Sequence, residues 1–219
     1  MKKAFGVFSE IPSSKRLSNG FTMFDWVMRK NRFPAFWLRT VSGEEGLTKE
    51  EITFLESRNC KVIPVIGDFS ESETASSKGS ESGKKAVQRI TELGIVTGTP
   101  VFVYIRDGMC VNHNWMIKFA RTLKSNEFIP GFMGNTDSSI DPVFDRQVSH
   151  FIEATSNVNG YDAVFLATEP KITGEPEEWI PFCPSAMDYE DMDLWMTGEI
   201  RFKDLCVSEV YAKNNKILY

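Results

Sequence analysis

Histidine is scarce in this sequence of 219 residues: only His113 and His150 are present. A Ser-His-Asp or Cys-His catalytic set therefore has little to draw on, and no HExxH pattern offers a zinc site. The four cysteines, Cys60, Cys110, Cys183 and Cys206, are widely spaced and form no CxxC pair. They read as thiols of a reducing compartment rather than a disulfide frame. No apolar run approaches the roughly 20 residues of a membrane span. The apolar stretch near the N-terminus is shorter than the about 7–15 residues of a secretory core, so no standard signal peptide is read. The expectation is a cytoplasmic protein or one exported by a non-Sec route. An excess of base is also missing, with 25 Lys+Arg against 30 Asp+Glu and a net charge of −5. Phosphate-led binding wants the opposite sign, so nucleic acid is not an expected partner. No GxGxxG or GxxxxGK[ST] pattern follows a strand, and no cofactor or metal is expected.

What is present is an alternation of apolar runs and helical patterns, which makes residues 1–219 a single domain. Strands are expected at Gly20–Asp25, Phe33–Arg39, Lys61–Asp68, Pro100–Ile105, Phe128–Asn135 and Ala163–Pro170. Two more are expected near Asp193–Met196 and Leu205–Val210. The run Lys61-Val62-Ile63-Pro64-Val65-Ile66 is nearly all apolar and β-branched, as strands buried on both faces are. Helices fit Leu47–Leu55, with Thr48 and Glu51 at capping-box spacing, and Gly83–Leu93, Trp115–Leu123 and about 141–154. The Ser-, Glu- and Gly-rich stretch Ser70–Ser82 reads as a surface loop. Eight strands, starting about every 27 residues, imply α/β architecture with a parallel sheet. A compact (β/α)8 TIM-like barrel is expected, with an open doubly wound sheet as the alternative.

In either architecture the working residues lie at the C-terminal ends of strands. The polar residues there are Asp25, Arg39, Asp68, Arg106, Asp107, Asn135 and Glu169, with Trp195 as an aromatic. Several carboxylates beside an aromatic suit sugar hydrolysis, in which one acid protonates the leaving oxygen and another serves as base or nucleophile. A flat ring such as Trp195 suits stacking on a sugar. The ordinary structural roles are a cap for Asp68, an ion pair between Asp25 and Arg39, and core packing for the tryptophans. A phosphodiesterase-like barrel, with acids holding a divalent cation, is a third possibility.

The ordered set Gly20-Phe21-Thr22-Met23-Phe24-Asp25, Ala35-Phe36-Trp37-Leu38-Arg39, Gly46-Leu47-Thr48-Lys49-Glu50-Glu51, Lys61-Val62-Ile63-Pro64-Val65, Leu93-Gly94-Ile95, Gly98-Thr99-Pro100-Val101-Phe102-Val103-Tyr104 and Lys203-Asp204-Leu205-Cys206-Val207 carries a family likeness. It resembles the glycoside-hydrolase-like domains of unknown function related to the Chalaropsis-type lysozymes, the glycoside hydrolase family 25-like barrels that act on peptidoglycan. The likeness runs from about Gly20 to Val210. It implies a barrel that cleaves or binds a cell-wall polysaccharide. For a lysozyme-like hydrolase, Asp25 is the expected first carboxylate and Asp107 or Glu169 the proton donor. Arg39, Asp68, Arg106, Asn135 and Trp195 are then expected to bind substrate. The chain departs from the family where the fourth strand should end in an acid: Arg106 stands there, with Asp107 one residue later. The usual late Trp-Gln pair is Trp195-Met196. The alternative is accordingly a catalytically inactive carbohydrate-binding module of the same fold.

Overall fold

Apolar runs that can bury both faces become neighbouring strands of one closed sheet in the computed structural model, which describes residues 3–155 and 163–214. The strands are β1 (Ala4–Ser9), β2 (Phe36–Thr40), β3 (Lys61–Ile66), β4 (Pro100–Ile105), β5 (Ile129–Gly134), β6 (Val164–Ala167), β7 (Leu194–Phe202) and β8 (Leu205–Ala212). They stand in chain order around the barrel. All pairs from β1–β2 to β6–β7 are parallel, whereas β8 runs antiparallel to both β7 and β1 and closes the ring. An open doubly wound sheet is excluded by that closure.

The helices are α1 (Met23–Lys30), α2 (Lys49–Glu56), the short α3 (Glu71–Thr74), α4 (Gly79–Glu92), α5 (His113–Ser125) and α6 (Val143–Thr155). They follow the first five strands. The β6–β7 connection carries only a 3-10 turn at Tyr189–Asp191, and β7 turns directly into β8. The α/β barrel expected from the sequence is therefore present, with its outer layer of helices incomplete beside β7 and β8.

The first strand lies earlier than the sequence suggested. Gly20–Asp25 is not a strand but the entry to α1: the Thr22 side chain accepts from the Asp25 backbone N–H at 3.1 Å, and the Asp25 carboxylate accepts from the Thr22 N–H and hydroxyl. This reciprocal cap fixes a helix start and outweighs the apolar look of Phe21, Met23 and Phe24. The stretch Ser70–Ser82 is likewise partly helical, holding α3 and the start of α4. Gly79, within the stretch read as a loop, and Gly83 let α4 lie close against α5. A Cβ at Gly79 would stand 2.0 Å from the Trp115 carbonyl oxygen, and one at Gly83 2.7 Å from Thr122 Cβ.

Side chains alternate across each strand, so one set fills the barrel and the other faces the helices. Phe8, Leu38, Val65, Phe102, Met133 and Leu166 belong to the interior set. Trp37 and Val62 face α1 and α2, while Val103, Phe132 and Phe165 face α4, α5 and α6. Interior packing closes the base and middle of the barrel. At the rim the next inward positions are polar, among them Arg106 after β4.

Near the base, ahead of β7, the Asp193 carboxylate accepts from the Phe165 N–H at 2.9 Å. Burial pushes its pKa from 3.8 up to about 6, with the Phe165 hydrogen bond opposing the rise. The folded state then holds a proton that the unfolded state has released between about pH 4 and 6, so stability falls as pH rises through that window. Asp193→Asn keeps an acceptor for Phe165 and removes the buried charge. It should stabilise the protein at pH 7.5 by on the order of 1–3 kcal/mol and have little effect at pH 4. Urea denaturation at both pH values checks this, and equal effects at the two would refute it.

Candidate functional site

The rim of the barrel holds an open cleft of about 310 Å³ over the ends of β1 to β4. Glu10 enters it after β1, Thr40 and Ser42 at the end of β2, Gly67 and Asp68 after β3, and Arg106 after β4. Inward positions on β4 fall at Phe102 and Tyr104, and two residues further the same period points Arg106 into the mouth. The Arg106 guanidinium lies over the Tyr104 ring, with Cζ 5.2 Å from the ring centroid. Its Nη2 donates to Glu10 Oε1 at 2.5 Å, bridging the ends of β4 and β1. Tyr104 in turn meets Phe8 edge-on, with ring centroids 5.8 Å apart. Burial pushes the Tyr104 phenol pKa up. The Arg106 charge draws it down, while Glu10, Glu169 and Asp107 raise it. The phenol thus stands amid the charged groups of the mouth.

On the other side, Asn135 follows β5 and is buried, and its amide donates to Asp107 Oδ2 at 3.2 Å. The Asn135 side-chain oxygen Oδ1 accepts from the Asp137 N–H at 2.9 Å, which sets the direction of the amide. Glu169 follows β6, and its backbone carbonyl accepts from Thr136 Oγ1 at 2.6 Å. Both oxygens of Asp68 accept from Arg89 Nη1 of α4, at 2.9 and 3.0 Å. The structure therefore brings Asp68, Arg106, Asp107, Asn135 and Glu169 to the rim of the barrel.

Three residues expected in the site stand elsewhere. Asp25 is on α1, committed to Thr22. That hydrogen bond holds its carboxyl below the ordinary range despite partial burial, helped by Arg58 and Arg29. Trp195 is buried, with its indole N–H donated to the Pro170 carbonyl at 3.3 Å and its ring edge-on to Trp179, so it offers no open face to a sugar. Arg39 occupies the outward register of β2 and is fully buried beneath the cleft. Its partner is Glu51 of α2, not Asp25: Nε lies 3.0 and 3.1 Å from the two Glu51 oxygens. Its other nitrogens donate to Thr40 Oγ1 and to the Glu45 carbonyl. Glu51 Oε1 also accepts from the N–H and hydroxyl of Ser13. Thr48 caps α2 as expected, but the Glu51 carboxylate turns inward to Arg39 instead of completing a box. Arg39 and Glu51 thus position the β1–α1 and β2–α2 loops that line the cleft.

Two mouth residues escaped the sequence reading. Glu10 was hidden because the first strand was placed too late. Tyr104 was passed over as strand interior, although its place two residues before Arg106 was a usable signal. Among the described residues no three His, Cys, Asp or Glu side chains converge as a metal-binding group.

The sequence matches no protein-family model and no curated protein. Solved structures with the same fold exist. An uncharacterized protein from B. stearothermophilus superposes with a TM-score of 0.79 at 22% identity, covering 98% of both chains. A family GH25 lysozyme from Aspergillus fumigatus gives 0.58 at 10% identity, covering 99% of this chain and 97% of the lysozyme. The modular autolysin LytC from Streptococcus pneumoniae gives 0.53 at 10% identity, with 95% of this chain spanning 46% of the autolysin chain. At these identities the likeness is one of fold: the chain has a glycoside-hydrolase-like, GH25-like barrel.

Proposed function

We propose that this barrel binds a cell-wall glycan such as peptidoglycan at its mouth without hydrolysing it. The observation that carries the reading is Arg106, which the β4 register places in the mouth where the family resemblance leads one to expect an acid, held in an ion pair with Glu10. Hydrolysis needs two carboxyl groups free to face the glycosidic bond, one of them protonated. Here Glu10 is engaged by Arg106, Asp68 by Arg89 and Asp107 by Asn135. Fixed planar pairs of this kind suit recognition instead, because a guanidinium or carboxylate can engage two adjacent sugar hydroxyls at once.

The remaining hydrolase reading rests on Glu169, whose carboxylate makes no ion pair or side-chain hydrogen bond among the described residues. With Asp107 it lies near enough to influence Tyr104. Titration calorimetry with chitotetraose and soluble peptidoglycan fragments, run beside a dye-release assay on purified peptidoglycan, separates the two. Saturable binding with no release is expected. Release abolished by Glu169→Gln would establish the hydrolase instead, and neither binding nor release would discard both.

A further inference from the structure

The floor of the cleft at the barrel mouth holds hydroxyls with hydrogen bonds still to make. Leu38 faces the barrel interior, so the same period turns Thr40, at the end of β2, inward to the cleft. Thr40 is only 7% exposed, and its Oγ1 accepts from Arg39 Nη1 at 3.0 Å. A guanidinium can only donate, so the Thr40 O–H remains a donor, and it meets no acceptor among the described residues. The half-buried Tyr104 phenol beside Arg106 likewise makes no hydrogen bond among the described residues. Buried hydroxyls ordinarily have partners. Two left open beneath one cleft are placed to meet the oxygens of a hydroxylated ligand.

The charge around those hydroxyls is one-sided. Arg106 is the one cation among the residues lining the cleft, against Glu10, Glu44, Glu45 and Asp68. Glu10 is matched by Arg106, Glu45 by Lys15 and Asp68 by Arg89. Glu44 has no ion-pair or hydrogen-bond partner among the described residues. On the opposite side of the mouth, Asp107 accepts only from the neutral Asn135 amide, and the Glu169 carboxylate is free. Both lie near enough for their charges to act on the Tyr104 phenol. The rim therefore carries Glu44, Asp107 and Glu169 beyond what its cations balance. A neutral sugar lying in the cleft gives these carboxylates no counter-charge, whereas a sugar ammonium does.

We propose that the glycan taken at the mouth is one bearing free amino groups, a glucosamine-type polymer rather than an N-acetylated one. Its ammonium groups face Glu44, Asp107 and Glu169, and its hydroxyls face Thr40, Tyr104 and Arg106. This rests on the glycan-binding reading above and adds the charge class of the ligand. Complementary charge acts chiefly on the choice of partner, and salt screens it. The test is titration calorimetry of the full chain with a glucosamine tetramer and with chitotetraose, which differ only in the acetyl groups. A mildly acid buffer keeps the sugar amines protonated. At low salt the glucosamine tetramer should bind roughly 10-fold more tightly, the gain of a few half-exposed ion pairs. Most of that preference should vanish in about 1 M NaCl, where the screening length is about 3 Å. Glu44→Gln and Glu169→Gln should each cut the preference by about 2–5-fold, and the double variant should remove most of it. Glu44 is exposed and Glu169 half-buried, so these variants should fold. Glu153→Gln, at an exposed acid of α6 outside the cleft, should leave the preference intact and controls for general attraction to an acidic protein. Chitotetraose binding as tightly as the glucosamine tetramer, or more so, would overturn the charge assignment and leave the glycan reading standing. A preference that survives the double variant, or falls as far in Glu153→Gln, would overturn it as well. Binding of neither sugar would remove the glycan reading and this inference with it.

Discussion

Arg39→Met is expected to cost about 3–5 kcal/mol of folding stability, the range for leaving one member of a buried ion pair without its partner. For a chain of this size that is a fall of roughly 6–20 °C in melting temperature. Arg39 is fully buried and Glu51 nearly so. The guanidinium spans both oxygens of Glu51 and satisfies Thr40 and the Glu45 carbonyl, while Ser13 completes the carboxylate. Removing the cation strands a carboxylate behind α2 and unties two loops at once. The double change Arg39→Met with Glu51→Leu should recover a large part of the loss, because an apolar pair of similar volume avoids the cost of desolvating two charges. Chemical denaturation of the single and double variants measures it. A single variant as stable as the parent would show that the pair contributes little to the fold.

Arg106→Ala should weaken glycan binding about 10–100-fold, corresponding to roughly 1.5–3 kcal/mol for hydrogen bonds to a charged group. It should leave the melting temperature nearly unchanged, since its ion pair with Glu10 is half exposed and such pairs contribute little to stability. The contrast with Arg39 is one of register: the two arginines stand at the ends of β2 and β4, but one points into the mouth and the other behind the sheet. Arg106→Lys should recover only part of the affinity, because an ammonium keeps the charge and loses the planar fork. Calorimetry on folded variants decides the matter. An unchanged dissociation constant for Arg106→Ala would remove this residue from the binding surface and take the main support from the proposed function.

The sequence was most legible where a strand is buried on both faces. Lys61–Ile66 and Pro100–Ile105 announced themselves as uninterrupted apolar runs, and both were located within two residues. The end of β4 could then be found, and with it Arg106 and Asp107. The start of the chain was less legible. Ala4–Ser9 is a short run of small and aromatic residues with no turn signal before it, whereas Gly20–Asp25 has the apolar density of a strand. The deciding feature was the Thr22–Asp25 spacing, a local hydrogen-bond pattern that outweighs composition. Inward and outward residues were the least legible, because facing depends on register against a neighbour. Arg39 lies beside Ser9 on β1 and Pro64 on β3, positions fixed only when the barrel closes. Trp195 was misjudged for a related reason. Its burial depends on Trp179, in a long connection with no periodic pattern to read.

The antiparallel eighth strand has a consequence for how the protein is made. Ala212 pairs with both Ala4 and Leu194, so the first strand synthesised must wait for the last before its second edge is covered. At about 5–20 residues per second, a ribosome takes roughly 10–40 s to bridge that gap. Throughout that interval a nascent half-barrel presents two uncovered sheet edges, β1 and then whichever strand has most recently emerged. Such edges invite pairing with other chains. The β7–β8 hairpin acts as a latch, and its arrival converts an aggregation-prone open sheet into a ring without edges.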